Sequence, residues 1–161
     1  MQLKIIKTEL LPAYLESVPS GLQTAFAALH EAEVSTDAFS FYTSVASVFS
    51  SKIEGEEIEL DSYIKHKRDK IPFLPDYTKK IDDLYDAYVF AQHHSLNEQT
   101  IAEAHKILSK HILPPKGQGK YRTQNMYVTT GDGRIEYVAA TPFIVAEEME
   151  KFYMDLEQLL S

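Results

Sequence analysis

Phe41-Tyr42-Thr43-Ser44-Val45-Ala46-Ser47-Val48-Phe49-Ser50-Ser51-Lys52-Ile53-Glu54-Gly55 is the most strongly patterned stretch of the chain. Phe41, Tyr42, Val45, Val48, Phe49 and Ile53 recur at three- and four-residue steps, so they share one face of a helix. Ser50 and Glu54 are one turn apart and lie one above the other on a neighbouring face. Gly55 falls where the helix should stop and is a natural left-handed terminator. A carboxylate on the last turn meets the negative end of the helix dipole, so Glu54 is better explained if something positive comes to it; on helix statistics alone the ordinary reading is a Glu exposed beside a glycine cap.

Outward from this helix the pattern stays helical. Leu3 to Ile6 is short, apolar and extended in expectation, and Pro12 suits the first turn of a helix with Leu11 and Leu15 facing a core. Leu22, Ala25, Phe26 and Leu29 mark a second helix. Asp37 is the expected cap of the central helix and Asp61 that of the next one, before Tyr63 and Ile64. Two prolines, Pro72 and Pro75, break the chain. Ile81, Leu84, Tyr85, Tyr88 and Val89 give another amphipathic helix, and Asn97 caps one carrying Ile101, Ala104, His105 and Leu108. Pro114-Pro115 ends it, and Lys116 to Lys120 reads as a flexible loop.

The character then changes. Met126-Tyr127-Val128 and Ile135-Glu136-Tyr137-Val138 are β-prone runs around an Asp132-Gly133 turn, which reads as a hairpin. Two strands alone are marginal, so the hairpin is expected to pack on the helices. Thr141 caps and Pro142 starts a last helix carrying Val145, Met149, Phe152, Leu156 and Leu159.

Composition narrows the function classes. A chain of 161 residues with 44% hydrophobic content can build a core. Its net charge of −8 argues against nucleic acid and against an anionic membrane surface. There is no cysteine, hence no disulfide or thiolate chemistry. No apolar run approaches a membrane span, and the start has no signal-peptide pattern, so a cytoplasmic location is the expectation.

Other site motifs are weak. Gly117-x-Gly119-Lys120 lacks the full Gly-x-x-x-x-Gly-Lys-Ser/Thr spacing and has no preceding strand. His93-His94, with His105 and His111, has no acidic residue at a closing ligand spacing, so no metal site is expected. His30 and His66 read as surface residues, and Glu56-Glu57 and Asp82-Asp83 as solvated helix faces.

The stretch Ser50 to Gly55 resembles the inhibitory-helix motif of Fic proteins, Ser/Thr-x-x-x-Glu-Gly/Asn, in the variant whose inhibitory helix precedes the catalytic core. Later segments fit in order: a helix, a Pro-Pro loop, a hairpin, another helix. The resemblance runs from about Phe39 to the end. The family's catalytic signature, His-Pro-Phe-x-Asp/Glu-Gly-Asn-Gly-Arg-x-x-Arg, is found nowhere in this chain. The fold it implies is mainly α, a Fic-like helical bundle with one β-hairpin, the flap, incomplete at the C-terminus. Residues 1–95 would form an N-terminal helical region with the inhibitory motif, and residues 96–161 the first part of the Fic domain.

Complete relatives move AMP from ATP, with Mg²⁺, onto a Ser, Thr or Tyr hydroxyl of a protein. The resemblance therefore implies an autoinhibited AMP-transferase (adenylyltransferase) whose catalytic residues, ATP cradle and Mg²⁺ ligand lie outside this chain. No cofactor is expected to bind tightly here, and the chain alone is expected to be inactive. Ser50, Glu54 and Gly55 would form the inhibitory motif, with Glu54 pairing the signature's last Arg in place of the γ-phosphate and Ser50 hydrogen-bonding in the same pocket. Tyr127, Val128, Ile135, Tyr137 and Val138 would dock the target protein by strand addition. The partner would be that target, together with the missing Fic segment or a second copy. Two alternatives stand beside this: a catalytically dead or regulatory binding module supplying an inhibitory helix, and an unrelated helical interaction domain.

Overall fold

The computed structural model describes residues 3–28, 40–72 and 75–161, with side chains excepted at 75–77. It is mainly helical with one antiparallel hairpin. The chain forms two compact units, one of residues 30–120 and the other of residues 1–29 with 121–161. Asp37, Leu29 and His30 lie outside the described residues.

The first unit is helical: α3 (Phe41–Ile53), α4 (Leu60–Asp69), α5 (Pro75–Gln92) and α6 (Glu98–Leu108). Ser40 is extended and its hydroxyl accepts from Thr43 N at 3.2 Å, so this serine caps α3. The buried face of α3 is Thr43, Ser44, Ser47, Val48 and Ser51. Of the apolar set on this helix, Val48 alone is buried, while Tyr42, Phe49 and Ile53 are 57%, 52% and 85% exposed. The helix thus packs through its small hydroxyl residues. They let α3 and α5 approach closely, and Ser44 and Ser47 satisfy their hydroxyls on the carbonyls one turn back, at 2.9 and 2.7 Å.

Val48, Ile58, Tyr63, Ile81 and Tyr85 form the core, with Leu60 and Val89 against it. Asp61 does not cap α4. Glu59 holds the cap position without a side-chain bond, and Asp61 sits in the first turn, 2.5 Å from Lys65. Asn97 does cap α6, in a reciprocal box with Thr100. The segment after α6 is not loose. A 3₁₀ turn, Pro115–Gly117, is followed by Gln118, whose amide donates to the carbonyls of Lys110 and Leu113 at 3.1 and 2.8 Å.

The second unit contains α1 (Leu11–Ser17), α2 (Leu22–Ala27), β1 (Tyr127–Thr129), β2 (Ile135–Val138) and α7 (Pro142–Leu160). Pro12 is in the first turn of α1 as its sequence predicts, but Leu11 and Leu15 are exposed. Leu3 to Ile6 runs as bends and is not a strand. The backbone N–H groups of Lys4, Ile5 and Ile6 all donate to the fully buried Asp155 carboxylate of α7, at 2.7 to 2.9 Å. Thr141 occupies the cap position of α7 without a side-chain cap bond. The hairpin pairs Tyr127 with Val138, Val128 with Tyr137 and Thr129 with Ile135, with an irregularity between Val128 and Thr129. Gly133 turns it at φ +83°, its N–H bonded to the Thr130 carbonyl. Every residue of both strands is exposed, so within its own unit the hairpin is not buried beneath helices as its sequence predicts.

Candidate functional site

α3 ends in a full Schellman closure. Gly55 N–H donates to the Lys52 carbonyl at 3.1 Å and Glu56 N–H to that of Ser51 at 3.0 Å, with Gly55 at φ +88°. This fixes Glu54 as the last near-helical residue. Its side chain is exposed and makes no hydrogen bond or ion pair among the described residues. The neighbouring acids differ: Glu56 pairs with Lys80 at 2.6 Å, and Glu59 lies 3.9 Å from Lys52. Lys52 also sits 5.7 Å from the centre of the Phe49 ring. An open depression follows the helix end, lined by Lys52, Gly55, Glu56, Ile58 and Glu59.

Ser50 does not face the same surroundings as Glu54. Its hydroxyl lies 3.2 Å from that of Tyr88 on α5, which ties the last turn of α3 to the neighbouring helix. Stacking by one turn put the two residues on a common stripe, but the helix is half-sunk, so one end of that stripe is covered and the other is free. The sequence held no signal for Tyr88 beyond its place on the α5 face.

Tyr127, Val128, Ile135, Tyr137 and Val138 come together on the hairpin with their side chains exposed. The sheet has two strands, so among the described residues each strand keeps one edge without a strand partner. The motif helix belongs to the helical unit and the hairpin to the other.

A polar cluster that the sequence reading passed over joins α4 to α5. The Tyr63 hydroxyl donates to Asp82 at 3.0 Å, His66 contacts Asp82 at 3.1 Å and the Ile71 carbonyl at 2.9 Å, and Lys67 reaches Asp82 at 3.2 Å. Lys67 also lies 4.2 Å from the centre of the Tyr85 ring. Burial, and after it the charge and hydrogen bond of Asp82, push the Tyr63 hydroxyl far above the ordinary phenol range, so it acts only as a donor. Asp83 is buried and accepts from both the backbone N–H and Nδ1 of His111, at 2.9 and 2.7 Å. Asp82-Asp83 is therefore not a solvated face, nor is His66 an ordinary surface residue. Adjacent carboxylates on a helix diverge, and here each found its own partner on a different element.

Among the described residues no group of three His, Asp or Glu side chains is arranged to hold a metal ion. His93 and His94 each turn Nδ1 onto the carbonyl one turn back, at 2.7 Å, and point apart. No helix of the described residues is long and apolar enough to cross a membrane. No protein-family profile matches the chain, and no curated protein or solved structure matches it either.

Proposed function

We propose that this chain is the N-terminal part of a Fic-type protein AMP-transferase, restrained through Glu54. One observation carries the reading: Glu54 is an exposed carboxylate at a helix C-terminus with no partner among the described residues, fixed there by a left-handed Gly55. A negative charge at the negative end of a helix is locally unfavourable, by about 0.3–1 kcal/mol. A cation arriving from elsewhere would relieve it, and the resemblance supplies an Arg for that role.

In this reading the residues of the chain position and restrain. Ser50, held on Tyr88, fixes the last turn of α3, and Gly55 sets the direction in which the chain leaves it. Glu54 presents the carboxylate that an Arg of the catalytic signature would meet. The hairpin would offer its strand edges, which have no further strand beside them among the described residues, to an extended segment of a target protein carrying Ser, Thr or Tyr. In this reading ATP and Mg²⁺ belong to the His-Pro-Phe signature segment, a motif that the sequence does not contain.

A second reading, a regulatory binding module, is favoured by the exposed stripe of Tyr42, Phe49 and Ile53 on the same helix. Two measurements separate the readings. A gene whose frame continues past the codon for Ser161 into the His-Pro-Phe signature supports the enzyme; a stop codon there supports the module. In a protein carrying the signature, Glu54→Gly should raise self-modification with labelled ATP more than tenfold. Equal rates with matched nucleotide binding would remove the inhibitory role.

A further inference from the structure

We propose that His105 is a proton-sensitive latch on the segment by which the chain leaves the helical unit. The backbone N–H of Gly119 donates to His105 Nδ1 at 2.9 Å. A backbone amide can only donate, so the bond exists only while Nδ1 keeps its lone pair. A second proton on the ring and the Gly119 N–H compete for that one lone pair. The ring belongs to α6, and Gly119 is one residue from the end of the helical unit; Tyr121 begins the next segment of the other unit.

The contact is a close fit. Gly119 is at φ +65°, and a Cβ there would stand 2.8 Å from the Ala102 carbonyl oxygen on α6. Backbone thus lies against backbone, and the ring nitrogen is the group that receives the inward-facing N–H. Gln118 is held separately, by its amide on the carbonyls of Lys110 and Leu113. Protonation of His105 therefore breaks the Gly119 bond, while the Gln118 amide bonds do not depend on the ring.

The charged neighbours do not supply another control. On α6, Glu103 pairs with Lys106 at 3.0 Å. On α5, which packs against α6, Asp83 is engaged with His111. On the loop, Lys116 and Lys120 are exposed. None of these makes a hydrogen bond or ion pair with the His105 ring among the described residues.

The test is hydrogen exchange on the intact chain, with the His105 ring followed by NMR in the same samples. Imidazoles titrate between about pH 5 and 8. The protection factor of Gly119 should fall roughly fivefold or more as the ring takes its second proton, the loss of one backbone hydrogen bond, while amides of α5 keep theirs. Gly119 protection that is unchanged while the ring titrates would overturn the latch, as would a ring that does not titrate in this window. At one fixed alkaline pH, His105→Leu should speed tryptic cleavage after Lys120 several-fold. Equal cleavage in a folded variant would also overturn it, and if that variant does not fold the wild-type series still decides.

Discussion

The Tyr63 hydroxyl donates to Asp82 at 3.0 Å, and this bond joins the buried centre of α4 to α5. Tyr63 is fully buried, and its ring packs edge-on toward Tyr85, 6.5 Å between centres. Tyr63→Phe keeps the ring and removes the donor. Asp82 retains His66 and Lys67, so it is not orphaned. The expected loss is therefore about 0.5–1.5 kcal/mol, that of one net hydrogen bond. Urea unfolding should show a lower midpoint with an unchanged slope. No change in midpoint would mean the bond contributes nothing in solution.

Asp155 gives a pH dependence with a definite sign. Burial raises the affinity of this carboxyl for a proton, but the N–H groups of Ile6, Lys4 and Ile5 outweigh it and hold the group below the usual carboxylate range. A depressed folded value means that the stabilisation is complete above the unfolded value, near pH 4, and is lost as pH falls through the folded one. Amide exchange at Lys4, Ile5 and Ile6 should be protected at neutral pH and released in acid. Asp155→Asn should lose protection at these amides at neutral pH and flatten the acid dependence. An Asn variant that follows the wild-type acid curve would show that another group controls it.

α3 shows how far the sequence could be read. Its existence, its stop at Gly55 and its three- and four-residue pattern were legible, because periodicity and a left-handed glycine are local properties. The hairpin turn at Gly133 and the cap at Asn97 were legible for the same reason. The buried face was not. Six apolar residues marked one side, yet the helix buries serines, because the partner surface on α5 decides which face is covered. Tyr88 with Ser50 and His111 with Asp83 are likewise choices made across 38 and 28 residues of chain, where pattern carries no information.

That reversal is testable on stability. Ser47 is buried with its hydroxyl satisfied on the Thr43 carbonyl at 2.7 Å. Ser47→Leu overfills a close helix contact and should cost about 1–3 kcal/mol. Phe49→Ser changes an exposed position and should lie within about 0.5 kcal/mol of wild type. Chemical denaturation of the two variants decides. The opposite order would mean that α3 packs through its aromatic side.

Two glycines with positive φ predict unequal penalties. Gly55 at φ +88° has open space where a Cβ would sit, so Gly55→Ala meets backbone strain alone, about 1–2 kcal/mol. Gly119 at φ +65° has the Ala102 carbonyl oxygen 2.8 Å from that point, and backbone cannot yield as a side-chain tip can. Gly119→Ala should therefore cost more than Gly55→Ala in thermal or urea unfolding. Equal costs would show that the loop lifts off α6 to admit the methyl group.

The exposed apolar residues set the last expectation. On α3 Tyr42, Phe49 and Ile53 stand bare, and on the other unit so do Phe143, Tyr137 and Val138. Single exposed apolar groups are ordinary, but contiguous ones beyond a few hundred Å² are rare on monomers. The pure chain should bind a hydrophobic dye in its folded state. The double change of Phe49→Ser with Ile53→Ser should reduce that signal without lowering the unfolding midpoint, because neither side chain contributes to the core of Val48, Ile58, Tyr63, Ile81 and Tyr85. Sedimentation on the same samples reports whether a second copy covers the stripe: a dimer that the double change dissociates would assign the surface to self-association. A monomer with no dye signal, before or after the change, would mean that these side chains find cover within the chain in solution.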